Sequence, residues 1–189
     1  MSEKIIKQYE NDNIKFEYVD SSKFEYSLND QRFLIYYDYI NKHPEISNVF
    51  MTDGNDVKIV KNPFNNICNN LCIGSEKGKI KTNKWLQNKI NILNSNNNLN
   101  CEWKNKNVNI YNAGILGGNR QIVLRFLKEM ENIFMVLDEK QKTENLNMAI
   151  FNYVIFNNFN TNNILTGNML HSVFKNYENN RIDIYFIHK

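Results

Sequence analysis

The apolar positions of this chain fall into two kinds of short run. Between residues 28 and 42, Phe33, Leu34, Tyr37 and Ile40 recur at helical spacing, which predicts an amphipathic helix. Asn29 or Asp30 stands where an N-cap is expected, and His43-Pro44 ends the helix. Residues 120–137 carry the same pattern through Ile122, Val123, Phe126, Leu127, Met130 and Phe134. Residues 84–94 and 147–156 read as two further helices. Strands are expected where the period falls to two or a short run is wholly apolar. These are residues 13–19 (NIKFEYV), 47–51 (SNVFM), 57–60, 71–74 (LCIG), 109–111 and 182–187 (IDIYFI). Residues 94–107, rich in Asn and Lys, predict a surface loop, and residues 112–118 a turn between strand and helix. Strands and helices alternate, so the predicted class is α/β with a largely parallel sheet.

Length and composition narrow this picture. A chain of 189 residues is long enough to bury a core without disulfides or a structural metal. No internal repeat or linker interrupts it, so it reads as one domain over residues 1–189. The net charge of +3 is spread without a basic block, and no nucleic-acid partner is expected. No run reaches the roughly 18 apolar residues that a membrane span needs. Residues 2–10 are polar, with no apolar core of a signal peptide. Asparagine fills about one position in five, yet no N-x-S/T sequon occurs. Cys68, Cys72 and Cys101 form no C-x-x-C pair, so reduced thiols and a cytoplasmic location are expected.

Three features carry candidate chemistry, each with a plainer reading beside it. Asp53 and Asp56 lie at the end of a predicted buried strand, with Gly54 and Asn55 between them. Carboxylate oxygens there suit a hard divalent cation that neutralises phosphate charge. The same residues also make an ordinary strand-to-turn junction. The glycines of residues 112–118 allow backbone N–H groups to face an anion at a helix start, but their spacing matches neither G-x-G-x-x-G nor a Walker A loop. His188 follows the closing strand, where a histidine is either a ligand or merely exposed. Trp85 and Trp103 are each suited to stacking on a sugar or a base, or to core packing. His43 reads as a helix-end residue and His171 as a loop residue.

Taken in order, these pieces resemble the GT-A glycosyltransferases of the nucleotide-diphospho-sugar transferase group. The resemblance runs from about Asn13 to the C-terminus. It rests on Asn29-Asp30-Gln31-Arg32-Phe33 with Tyr37, then His43-Pro44-Glu45-Ile46 leading into Val49-Phe50-Met51-Thr52-Asp53. Asp56-Val57 with Pro63-Phe64 follows, then Asn112-Ala113-Gly114 with Gly117-Gly118, Asn147-Met148 with Phe151-Asn152-Tyr153, and Ile187-His188-Lys189. It implies a GT-A-like, Rossmann-type sandwich with a mostly parallel central sheet flanked by helices. It also implies Mn2+- or Mg2+-dependent transfer of a sugar from a nucleotide diphosphate donor to a hydroxyl of a glycan or other acceptor. On that reading Asp53, Asp56 and His188 hold the metal. Arg32 and Lys189 join the two aspartates around the donor diphosphate. Asn112, Ala113, Gly114, Gly117 and Gly118 border the acceptor, and Glu76 and Asn147 are the candidate catalytic groups. Two departures stand out. The acidic motif is D-x-x-D where the family has D-x-D; by its spacing to Pro63, Asp56 matches the second acidic residue and Gly54 stands at the first. Residues 1–10 also show no counterpart of the family's opening nucleoside-binding strand. A non-catalytic module that binds a glycan or nucleotide, and a metal-dependent phosphohydrolase using the same carboxylates, are the competing readings.

Overall fold

The computed structural model describes residues 3–189 apart from 21, 23, 67–69, 98, 177 and 179; the side chains of 3–5 and 66 also lie outside the description. Cys68 falls among the residues not described. The elements run α1 (Glu3–Tyr9), α2 (Leu28–Lys42), β1 (Asn48–Thr52), β2 (Val57–Ile59), β3 (Leu71–Lys79), α3 (Lys84–Asn94), β4 (Asn109–Asn119), α4 (Arg120–Phe134), α5 (Glu139–Thr143), α6 (Asn147–Asn158), β5 (Ile164–Thr166), β6 (His171–Ser172) and β7 (Phe186–His188). The protein is therefore mixed α/β. Two small sheets share the work: one ordered β1-β4-β3-β5, the other β2-β7-β6.

The four-stranded sheet is mixed and not mostly parallel. β4 pairs antiparallel with both β1 and β3, and only β3 with β5 is parallel. Alternation of helix and strand along a chain does not by itself fix strand direction. Here α3 lies between β3 and β4 yet returns the chain antiparallel to its neighbour. In the second sheet β2 and β7 are antiparallel, and β6 and β7 parallel.

The period-two pattern of the central strands assigns their two faces. Leu71 and Ile73 of β3, Met51 of β1 and Leu116 of β4 join the large core with Phe33, Phe126, Phe134 and Phe151 of the helices. Their neighbours in sequence, Cys72 and Ile115, face the other way. They pack with Leu170, Tyr185 and Phe186, which brings the small sheet against the back of the large one. Gly117 of β4 makes room on that back face: a Cβ there would overlap the ring of Phe50.

Several expectations change. Residues 13–19 form no strand; an isolated bridge joins Asn11 to Ile14, and Tyr18 is 91% exposed. Their alternation lacks a partner strand to bury one face. Residues 112–118 form no turn but part of β4, where Gly114 leaves room for His188 and Asp53 and Gly117 for the ring of Phe50. The closing strand is only Phe186–His188, and α1, α5, β5 and β6 add to the predicted set. The loop of residues 94–107 buries Cys101 and Trp103, and Trp103 stacks on Phe156 with ring centroids 5.3 Å apart. Ser27 caps α2 in place of Asn29 or Asp30. Among the described residues, no helix is long and apolar enough to cross a membrane.

Candidate functional site

β1 ends at Thr52, and the next residue, Asp53, donates its N–H to the carbonyl of Gly114 at 3.0 Å. Gly54, Asn55 and Asp56 then turn the chain out of the large sheet and into β2. β2 pairs with β7 so that Val57 lies opposite His188. Lys189 donates its N–H to the Asp56 carbonyl at 2.9 Å. The strand pairing thus delivers the C-terminal histidine to the acidic turn. One ligand atom each from Asp53, Asp56 and His188 lie within 4.8 Å of one another.

This donor set fits a divalent cation. His188 is 1% exposed, yet neither ring nitrogen has a hydrogen-bond partner. A buried imidazole left so is costly unless something takes its lone pair. Burial pushes its pKa below the ordinary histidine value, against the opposite pull of Asp53 and Asp56. The ring is therefore neutral and able to ligate. Nε2 lies 3.9 Å from Asp53 Oδ2, too long for a hydrogen bond. Two carboxylates and one imidazole suit Mn2+, with Mg2+ favoured less by the nitrogen.

Two neighbours shape the cluster. Arg32 Nη1 pairs with Asp53 Oδ1, while Nη2 donates to the Ala113 carbonyl at 3.4 Å. One oxygen of Asp53 is held by the guanidinium and the other faces His188. Gly114 supplies the space. A Cβ there would overlap His188 Cε1 and come within 2.7 Å of Asp53 Oδ2 and 2.8 Å of His188 Nε2.

The cluster opens into a cleft of about 430 Å³ that also takes in Arg32, Glu76, Trp85, Asn112, Asn147 and Met148. Glu76 lies on β3 where its register with β4 shifts, and such irregularities re-aim side chains. Asn112 Nδ2 donates to Glu76 Oε1 at 2.8 Å, and Asn112 Oδ1 accepts the Gly114 N–H at 2.7 Å. Glu76 is thereby tied to the backbone that frames Asp53 and His188. The start of α6 forms another wall. Asp30, buried on α2, accepts the N–H groups of Leu146 at 3.1 Å and Asn147 at 2.6 Å. Asn147 Nδ2 donates to Asn145 Oδ1 at 2.8 Å, and the Ala113 N–H points to Met148 Sδ at 3.4 Å.

Asp53, Asp56, His188, Arg32, Glu76, Asn112, Ala113, Gly114 and Asn147 thus come together. Gly117 and Gly118 do not. They lie in the interior of β4, opposite Phe50 and Val49. Lys189 is exposed, and it meets the site through its backbone contact to Asp56. His43 pairs with Glu45 at the surface. His171 is buried in β6, with Nε2 accepting the Ser75 N–H at 2.8 Å and its pKa pushed down to about 4 chiefly by burial. Its neighbour Ser172 accepts the His188 N–H through Oγ at 3.3 Å. Asp30, Asn145 and His171 are the polar groups that sequence reasoning missed as supports of the site. Asp30 followed the pattern of a cap for its own helix, and His171 stood among loop residues. Trp85 is 49% exposed at the cleft, whereas Trp103 is packed in the core.

No protein-family model matches this chain, and no curated protein matches it.

Proposed function

We propose that the protein is a metal-dependent glycosyltransferase that moves a sugar from a nucleotide diphosphate donor to an acceptor hydroxyl. The convergence of Asp53, Asp56 and a buried, unpaired His188 beside Arg32 carries this reading. The order of sequence motifs adds a GT-A relationship, here built on a mixed four-stranded sheet. Mn2+, or Mg2+, is the proposed cofactor, held by Asp53, Asp56 and His188. When bound, it supplies Lewis-acid charge to the diphosphate leaving group.

The chain's own residues divide the remaining tasks. Arg32 adds positive charge beside Asp53, on the donor side. Glu76, oriented by Asn112, is the group best supported as the base. The acceptor oxygen bonds to the anomeric carbon, and the bond from that carbon to the donor phosphate oxygen breaks. Its electron pair leaves with the nucleoside diphosphate, and the acceptor proton passes to Glu76. The reacting sugar gains oxocarbenium character. Asn147 and Asn112 border the acceptor.

The reading is tested by incubating the protein with Mn2+ and a panel of uridine, guanosine and adenosine diphosphate sugars. Mn2+-dependent release of nucleoside diphosphate is expected with at least one donor. The absence of both turnover and metal-dependent nucleotide binding would overturn it. Release of inorganic phosphate from simple phosphoesters would replace it with a phosphohydrolase.

A further inference from the structure

The acceptor half of the cleft has a chemistry of its own. Trp85 stands in the first turn of α3, whose N-cap Asn83 accepts the Leu86 N–H through its side chain at 2.9 Å. The helix is therefore anchored by groups other than the indole. Trp85 keeps half its surface in solvent and lines the same cleft as Glu76, Asn112 and Asn147. A large aromatic left exposed at a concave polar site is the usual arrangement for stacking on a flat apolar face. A pyranose presents such a face through its axial C–H groups, with hydroxyls around the edge.

The polar groups nearby match that edge. Glu76 uses Oε1 to accept from Asn112, which leaves Oε2 for a hydroxyl. Asn147 donates to Asn145, which leaves the Asn147 carbonyl oxygen and the Asn145 amide N–H groups for others. Carboxylates and amides supply acceptors and donors in the planar pairs that adjacent hydroxyls satisfy.

Charge decides the kind of sugar. Asp53, Asp56 and Glu76 line the cleft against the one guanidinium of Arg32. The cleft is acidic on balance. A divalent cation and a nucleotide diphosphate offset each other when both bind, so the acceptor meets the same negative excess. A carboxylated or phosphorylated acceptor would be repelled.

We infer that the acceptor is an uncharged pyranoside stacked on Trp85, with its hydroxyls turned to Glu76 and Asn147. This deepens the glycosyltransferase reading and rests on it for the word acceptor. Its test uses neither donor nor metal, so the two fail separately. The probes are the methyl glycosides of glucose, galactose, mannose and N-acetylglucosamine, with methyl glucuronide as the charged counterpart. Intrinsic tryptophan fluorescence and two-dimensional NMR follow their titration into the wild-type protein and Trp85→Phe. At least one neutral glycoside is expected to change the fluorescence saturably and to shift the Trp85 indole resonance. The fluorescence change is expected to vanish in Trp85→Phe, and the glucuronide to bind at least tenfold more weakly than the neutral sugar. The inference is overturned if no neutral glycoside moves the Trp85 resonance. It is equally overturned if the glucuronide binds as well as the neutral sugars, or if uridine or guanosine diphosphate alone moves that resonance and the glycosides do not.

Discussion

The carboxylate of Asp30, on α2, accepts the backbone N–H of Asn147, the first residue of α6, at 2.6 Å. It also accepts the N–H of Leu146. α6 has no side-chain cap of its own, so Asp30 supplies one from a distant element. The bond fixes the start of α6, where Asn147 and Met148 meet the cleft.

A pH dependence follows. Burial raises the Asp30 pKa from 3.8 to about 6, against the backbone hydrogen bonds that lower it. A raised carboxylate pKa means that the folded state prefers the proton. Its stabilising contribution is full below pH 3.8 and is lost as the pH rises through about 6. The loss is about 3 kcal/mol at 1.36 kcal/mol per pKa unit. His171 acts in the opposite sense. Its pKa falls from 6.5 to about 4, so the unfolded chain binds the extra proton and stability rises with pH through that window. In the metal-free protein the two largely offset between pH 4 and 6. Asp30→Asn removes one of them. Its stability relative to the wild type is expected to rise by about 3 kcal/mol over that range, read by urea denaturation in the presence of a chelator. Parallel curves would show that Asp30 does not titrate there.

The close approach of Gly114 to Asp53 and His188 predicts an unusually specific glycine effect. Gly114→Ala would drive a methyl group into the space between Asp53 Oδ2 and His188 Nε2. At a Mn2+ concentration about 100-fold above Kd, binding stabilises the wild type by about 2.7 kcal/mol. That corresponds to a rise of roughly 5–10 °C in Tm for a chain of this size. Gly114→Ala, Asp56→Ala and His188→Ala are each expected to lose most of this rise. Differential scanning calorimetry with and without Mn2+ measures it, and an unchanged rise in Gly114→Ala would exclude the proposed ligand geometry.

Glu76 offers a separate check on the chemistry. Glu76→Gln keeps an oxygen for the Asn112 amide but removes the ability to take a proton. The rate of sugar transfer is expected to fall about 10²- to 10⁴-fold, with Mn2+ and nucleoside diphosphate binding unchanged. A loss of less than tenfold in kcat would remove Glu76 from the role of base.

Much of the scaffold is legible in the apolar pattern. The spacings of Phe33 and Ile40, and of Val123, Phe126 and Met130, mark α2 and α4 because one face of each meets the core. The site is legible in part, since a carboxylate pair at the end of β1 is a local feature. The rest depends on distant partners. Residues 112–118 look like a turn until His188 occupies the space above Gly114 and Phe50 that above Gly117. Residues 13–19 alternate as a strand would, yet no neighbouring strand pairs with them among the described residues. Asp30 sits where a cap for α2 belongs but serves α6. His188 is a candidate in the sequence, but it is brought to the aspartates only through the register of β2 with β7. Strand direction in the large sheet has no local signature either, because it depends on the end at which each connection returns.

The most direct measurement is a crystal structure of the protein soaked with Mn2+ and a nucleoside diphosphate, with anomalous scattering to place the manganese. One ion is expected, bound by Asp56, Asp53 Oδ2 and His188 Nε2, with the diphosphate on its open side near Arg32. An ion bound elsewhere, or a diphosphate bound without Asp56 and His188 contacting the metal, would contradict it.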